Sequence, residues 1–215
     1  MKKITLLLFI FFGFSYSQNL TVESGGTLTI EKTGAVTVSG NFSNSGTVTM
    51  NSDADEFSSI KISGTTSGNV TYNRFVNYAA SGEWDLIGSP VDGLSISSFV
   101  STNTSGTATL ATNGSAYAVG YYDNSTDTWT NYTTETVGGA GNFDIGKGYQ
   151  MGTVSGGTQI LAFTGTISSS DETQFIINND AANSGSGRRW NLVANPYPSY
   201  INACLLYTSP SPRDC

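Results

Sequence analysis

The feature that most constrains this chain is a series of short segments in which every second residue is apolar. Five of them lie between Thr27 and Tyr72, at residues 27–30, 35–38, 47–50, 59–62 and 69–72. A period of two with β-branched residues is typical of strands. Corners that contain glycine, such as Ser24-Gly25-Gly26, separate the segments and accept positive φ. The pattern predicts an all-β fold.

Two arrangements of residues 18–74 fit this pattern. Three segments follow the rule Gly-[Thr/Ala]-[Leu/Val]-Thr-[Ile/Val/Met], and such repeated short strands favour the coils of a β-solenoid. The apolar positions predicted to point inward are Leu28, Ile30, Val36, Val38, Val48, Met50, Ile60 and Ile62. However, the steps from residue 28 to 36, 48, 60 and 70 are unequal, so an antiparallel meander remains the alternative.

Residues 75–188 have longer, more aromatic segments and predict a β-sandwich or jelly roll. Segments 116–122 and 128–132 flank a polar loop and predict a hairpin. Further strands are expected at 148–151, 159–163, 165–167 and 173–177. A helical turn is expected at most at 94–100.

The two ends of the chain differ from the rest. Residues 1–17 have a basic start, an apolar run and small residues at the cleavage position, which predicts a signal peptide and a secreted or outer-surface location. The apolar run is too short to span a bilayer, which needs about 20 residues. Residues 204–215 change composition abruptly. We interpret them as a non-native tail, with the native chain cut near Ala203.

One seven-residue segment occurs twice. Trp84-Asp85-Leu86-Ile87-Gly88-Ser89-Pro90 is matched by Trp190-Asn191-Leu192-Val193-Ala194-Asn195-Pro196. Each copy has a large aromatic and two aliphatic residues before a turn that ends in proline. We predict that each copy opens a β-unit, so that residues 189–203 either start a second unit or form the last strand of the first.

These two segments, together with Gly146-Lys147-Gly148-Tyr149 and the N-terminal Gly-Thr-Leu-Thr-Ile, resemble large secreted surface proteins of gliding Bacteroidota. Members of that group end in a sorting domain that the type IX secretion system recognises. The resemblance extends over residues 18–203 and implies an export route rather than an activity. The sorting domain itself would lie beyond Ala203.

Residue types exclude several chemistries. The chain has no histidine, and its two cysteines, Cys204 and Cys215, lie in the tail. Zinc sites and Ser-His-Asp or Cys-His catalysis are therefore excluded. Residues 18–203 carry fifteen acidic and six basic side chains, so neither nucleic acid nor an anionic membrane surface is an expected partner.

Oxygen-rich loops were considered as calcium sites. Asn51, Asp53, Asp55 and Glu56 crowd into six residues, and Asp123 and Asp127 lie at a hairpin tip. Neither follows the spacing of a calcium loop, and acidic residues between strands are usually solvated. We expect no metal site and no cofactor.

Catalytic and anion-binding motifs are also not expected. Carboxylates pair as Glu83 with Asp85 and as Asp171 with Glu172, but neighbouring strand residues point to opposite faces. The glycine-rich segment 138–141 lacks the lysine and helix of a phosphate loop and is interpreted as a turn. The pair at 188–189, two arginines, is expected to anchor a loop.

Function follows from these exclusions. We expect a non-catalytic structural or adhesive fragment of a surface protein, with no catalytic residues in residues 18–203. The alternative is a carbohydrate-binding part of a polysaccharide-degrading system. A third, less favoured possibility is an enzyme whose catalytic domain lies downstream. Trp84, Trp129, Trp190 and the tyrosines could stack on sugars, although core positions are more usual for them.

Overall fold

A computed structural model describes residues 19–105, 109–124, 126–174, 176 and 190–202. The predicted signal peptide, the tail from residue 204 and the arginines at 188–189 lie outside the described residues. The all-β class is confirmed. The strands are β1 (Leu20–Val22), β2 (Thr27–Ile30), β3 (Ala35–Val38), β4 (Phe42–Asn44), β5 (Thr47–Asn51), β6 (Ser59–Ile62), β7 (Thr66–Ser67), β8 (Val70–Phe75), β9 (Asp85–Ile87), β10 (Thr112–Asn113), β11 (Ala116–Asp123), β12 (Thr128–Thr133), β13 (Tyr149–Met151) and β14 (Ile160–Gly165).

The first eight strands stack in parallel as successive coils of chain. β1, β4 and β7 form one sheet, β2, β5 and β8 a second, and β3 and β6 a third. Leu28 pairs with Val48, and Val36 pairs with Ile60. Consecutive strands therefore belong to different sheets, which explains why the strand spacing looked irregular in the sequence. An antiparallel meander is excluded for these strands.

The interior of this coil region (residues 20–75) is apolar. Of the eight positions predicted to point inward, six are buried: Ile30, Val38, Val48, Met50, Ile60 and Ile62. Leu28 and Val36, both in the first coil, are half-buried and pack against the core. The sequence pattern therefore located the inner face correctly.

Later segments cover the far end of the coil stack. β14 pairs antiparallel with β8 over six residues, from Ile160–Phe75 to Gly165–Val70. The Thr66 hydroxyl donates to the Ile167 carbonyl at 2.5 Å, and the Ile60 amide donates to the Pro198 carbonyl at 2.8 Å. Each of the three parallel sheets is thus hydrogen-bonded, at this end, to a segment that comes later in the sequence. These bonds satisfy groups that an open sheet edge would leave unpaired.

The second region contains one antiparallel sheet in the order β10-β11-β13-β9, with β12 on β11. The predicted hairpin is present as β11 and β12. The expected β-sandwich needs a correction. Within the described residues, the strands of 75–188 do not form two facing sheets, because β14 leaves the region to join β8. Of the strand expected at 173–177, Thr173 and Gln174 are not extended into a sheet, and residues 175 and 177 lie outside the described residues.

The second region also contains a helix, which packs against β14 and the 3₁₀ turn Val137–Gly139. α1 (Ile96–Thr104) is longer than the expected turn and is capped by Ser95, whose hydroxyl accepts from the Ser98 amide at 3.1 Å. Its buried Phe99 ring packs 5.2 Å from the Phe143 ring and 4.7 Å from the Phe163 ring. The helix therefore joins the two regions through one continuous core. In the described part of the chain, no helix is long and apolar enough to cross a membrane.

Candidate functional site

A cleft of about 390 Å³ lies where the coil region, β9 and the segment 190–202 meet. Its volume is within the range of about 300–1,000 Å³ that is usual for small-molecule sites. The coil wall consists of Phe57, Ser58, Ser59, Tyr72 and Arg74. The opposite wall comes from 86–90 and from 193–200.

Both copies of the repeated tryptophan segment contribute to this cleft. β9, in the first copy, pairs with β13, and Val193, in the second copy, forms a bridge with Lys147 just before β13. The Gly148 amide donates to the Leu192 carbonyl at 2.9 Å. An added Cβ at Gly148 would overlap the Leu192 side chain, so glycine permits this close approach. The repeat thus supplies two neighbouring edges of one site.

Arg74 is the only charged side chain among the described residues that line the cleft. Its Nη1 atom is buried and has no hydrogen-bond partner among the described residues. The guanidinium carbon lies 4.0 Å from the centre of the Phe57 ring, a cation–π contact. Burial lowers the pKa of Arg74 from its usual value, but arginine remains charged in proteins.

The nearest acidic group does not neutralise this arginine by contact. Asp85 acts on Arg74 electrostatically. However, its two carboxylate oxygens accept from the Asn77 backbone amide at 2.8 Å and the Asn77 side chain at 2.9 Å. No described carboxylate forms an ion pair with Arg74. The guanidinium in the cleft is therefore not paired with any described carboxylate.

A second polar group without a partner lies on the same wall. The hydroxyl of Ser58 is buried and has no hydrogen-bond partner among the described residues. The Ser58 carbonyl, in contrast, accepts from the Tyr72 hydroxyl at 3.1 Å. Burial raises the pKa of Tyr72 above its usual value. Tyr72 is therefore a neutral, fixed side chain beside two unsatisfied donors.

Aromatic rings on the segment 190–202 are held by their hydroxyls. Tyr200 donates to the Phe57 carbonyl at 3.2 Å, and Tyr197 donates to the Ser170 carbonyl at 2.8 Å. Tyr200 is nevertheless 72% exposed. Leu86 and Val193, which also line the cleft, are 54% and 53% exposed. An exposed apolar rim of this kind is characteristic of a binding surface.

The tryptophans considered in the sequence do not line the cleft. Trp84 is half-buried against the core, whereas Trp129 and Trp190 are exposed. Trp129 packs on the Tyr122 ring at 5.4 Å across the hairpin. The aromatic groups at the site are instead Phe57 and the tyrosines. Among the tryptophans, core packing, the more usual alternative, therefore describes only Trp84, whereas Tyr72 and Tyr149 are also buried in the core.

The acidic loop after β5 is paired with the side chain of Lys32. Lys32 forms ion pairs with Asp53 and Glu56, and the other Asp53 oxygen accepts from the Asp55 and Glu56 amides. Asn51 bonds to Glu31 and Asn73 instead. The hydrogen bond from Lys32 lowers the pKa of Asp53. The described residues contain no cluster of three metal-ligating side chains. At the hairpin tip, Asp127 accepts from the Tyr122 hydroxyl.

The carboxylate doublets need one correction. Glu83 and Asp85 are two residues apart, so strand alternation would place them on one face, contrary to the expectation above. However, β9 starts at Asp85, which accepts from Asn77, so Glu83 lies outside the strand. Asp171 and Glu172 lie outside any strand, and the Glu172 carboxylate accepts from Ser168. The glycine-rich segment forms a 3₁₀ turn at Val137–Gly139.

The chain belongs to the family described as "Domain of unknown function (DUF8693)", whose model matches residues 12–212. Comparison with curated proteins and with solved structures gives no significant match. The function of the protein is therefore inferred from the residues that line the cleft.

The sequence missed Arg74, Ser58 and Tyr200 as site residues. A signal for Arg74 was present: Val70, Tyr72 and Arg74 are two residues apart and share the inner face of β8. A charge at an inward position is unusual and marks a site. Nothing in the sequence indicated that the Tyr200 hydroxyl binds the Phe57 carbonyl, because these residues are far apart in the chain.

Proposed function

We propose that this protein is an exported, non-catalytic module that binds carbohydrate in the Arg74 cleft. The observation that carries the proposal is one cleft lined by Phe57, Tyr72, Tyr197 and Tyr200, together with the polar side chains of Ser58 and Arg74. Sugars have apolar faces that pack on aromatic rings and hydroxyls that need hydrogen-bond partners. Aromatic rings held by their hydroxyls supply such contacts without much loss of side-chain entropy.

Binding is favoured over catalysis by the composition of the cleft. The described residues that line it include no aspartate, glutamate, lysine or cysteine, and the chain has no histidine. Glycoside cleavage normally uses two carboxyl groups flanking the scissile bond. A cleft without a general acid or base is better suited to holding a glycan than to cleaving it.

An adhesive surface role is compatible with the same site. The signal-like residues 1–17 and the resemblance to secreted Bacteroidota proteins support export through the type IX route and display on, or release from, the cell. A purely structural role gives no reason for an exposed apolar rim around an unpaired cation. The glycan-binding form of the adhesive hypothesis is therefore preferred.

A glycan array with purified protein tests the proposal, followed by titration calorimetry on any hit. We expect the replacement Tyr200→Ala to weaken binding about tenfold or more, because it removes the most exposed ring of the cleft. Trp129→Ala is the matched control, since Trp129 is exposed but outside the cleft. Equal losses in both variants, or an array without hits, would reject the proposal. Hydrolysis of a bound glycan would reject the non-catalytic part.

A further inference from the structure

We propose that the cleft recognises a sugar that carries a carboxylate, a uronic acid, and that Arg74 and Ser58 bind this carboxylate. The inference rests on the proposed function and narrows its ligand class. It is based on two buried donors in one cleft that have no partner among the described residues, beside rings suited to the rest of the sugar.

Unsatisfied buried donors have a free-energy cost. A buried polar group without a partner costs about 1–3 kcal/mol, and more if it is charged. The Arg74 Nη1 atom and the Ser58 hydroxyl both meet this description among the described residues. A ligand that accepts from both would remove that cost, whereas an apolar ligand would increase it.

A carboxylate fits this pair better than a neutral acceptor does. The planar guanidinium presents parallel N–H groups that match the two oxygens of a carboxylate, and charge-assisted bonds are about twice as strong as neutral ones. The contact with the Phe57 ring, 4.0 Å from the guanidinium carbon to the ring centre, helps to hold the guanidinium in place. Ser58 adds a donor from the same wall of the cleft.

Among the described residues, no carboxylate of the protein pairs with Arg74. Asp85 is held by Asn77 through both oxygens, at 2.8 and 2.9 Å. The segment 193–200, which forms the opposite wall, contains no acidic residue. The position facing Arg74 is thus left for a carboxylate from outside.

The single cation also limits the ligand. Residues 18–203 have fifteen acidic against six basic side chains, and Arg74 is the only charged group in the described lining. A dense polyanion such as nucleic acid would be repelled by this excess negative charge. One carboxylate on the end or branch of an otherwise neutral glycan matches one arginine.

The test compares three probes by titration calorimetry: an oligosaccharide ending in glucuronic acid, its methyl ester, and the same oligosaccharide ending in a 6-sulfated glucose. Esterification removes the charge and leaves the sugar ring unchanged. We expect the wild-type protein to bind the acid at least about tenfold more tightly than the ester. The sulfated probe, which has the same charge but a different shape, should bind more weakly than the acid.

Two variants and a control locate the effect. Arg74→Met should abolish the preference for the acid while ester binding remains, and Arg74→Lys should restore it in part because lysine keeps the charge but loses the fork. Lys61→Met is the control: it removes one positive charge from an exposed position of β6, outside the cleft, and should leave the preference unchanged.

The outcomes separate the two proposals. Equal binding of acid and ester by the wild-type protein overturns the uronic-acid inference and leaves glycan binding in place; this comparison needs no variant, so it holds even if Arg74→Met fails to fold. A preference for the sulfated probe, or a preference that persists in Arg74→Met, also overturns the inference. No binding of any probe, with an array without hits, overturns both.

Discussion

The coil region and the second region build their cores in different ways. In the coil region each strand is two to six residues long, and its partner lies one coil away, as Leu28 and Val48 do. In the second region, the strands β9 to β13 are antiparallel, and α1 packs against β14. The coils repeat one local rule, whereas the second region depends on contacts between distant residues.

The contact between the two regions shows why this difference matters for unfolding. β14 comes from the second region but pairs with β8 of the coils, and its Phe163 packs against Phe99 of α1. A repeat region normally needs a terminal unit that protects its last edge. Here the second region provides that unit, so the two should unfold together.

Phe163→Ala is expected to have the largest effect on stability. Phe163 is fully buried and contacts the rings of Phe99 and Phe143, so its loss should cost about 3–5 kcal/mol. Chemical denaturation, followed by fluorescence and circular dichroism, measures the change. We expect one cooperative transition that shifts as a whole. Two separate transitions would contradict the joint cooperativity of the regions.

Asn103→Ala should have the second-largest effect on stability. Asn103 is buried in α1, donates to the Phe99 and Ala162 carbonyls at 2.9 and 3.1 Å, and accepts from the Ala162 amide at 2.8 Å. It therefore acts as a strand partner for the free edge of β14. Each buried group left unpaired should cost about 1–3 kcal/mol of unfolding free energy. Thr102→Ala, exposed on the same helix, is the control; an equal loss there would argue against this role.

Gly68→Ala examines the stacking of the coils. Gly68 has a φ of 81°, and an added Cβ would overlap the carbonyl oxygen of Asn44 in the coil beneath it. Strain and overlap together should cost about 1–3 kcal/mol. Gly25→Ala is the matched control, because its φ is 78° but nothing lies within 4 Å of the added atom. A thermal melt in which both variants lose the same stability would show that strain alone acts.

Removing the ion pairs of the acidic loop should have the smallest effect on stability. Lys32 and its partners are exposed, so Lys32→Ala is expected to change stability less than any variant above. The pKa of Asp53 is lowered from its ordinary value of 3.8, so its stabilising contribution is present above that value and lost as the pH falls through the lower folded pKa. Lys32→Ala should reduce this acid dependence.

Calcium provides an independent check on the same loop. Because Lys32 already forms ion pairs with Asp53 and Glu56, millimolar calcium should leave the melting temperature of the wild-type protein unchanged. Magnesium at the same concentration is the control for ionic strength. A rise with calcium alone would favour the calcium-site interpretation over the solvated loop.

Much of the coil region could be predicted from the sequence. β2, β3, β5, β6 and β8 were found because two apolar residues alternate with polar ones in each. β1, β4 and β7 were missed because they have only three, three and two residues. Without these short strands, the sequence does not show that a coil contains three strands. It therefore does not decide between stacked coils and a meander.

The second region was less predictable. The hairpin of β11 and β12 follows from local turn chemistry. The crossing of β14 to β8 and the growth of α1 to Thr104 depend on Phe143 and Phe163, which are remote in sequence from α1. Local propensity could not indicate that these rings would stabilise a helix there.

The sequence by itself determined the all-β class, the inner face of the coils and the absence of histidine and of cysteine before residue 204, because each is set by residue type and spacing. Only the tertiary structure decided three features. Both tryptophan segments pair at β13 or just before it, Tyr200 binds the Phe57 carbonyl, and Arg74 has a donor without a partner among the described residues. The reason is physical: alternation fixes which face a side chain takes, but burial and partners depend on which distant segments pack there.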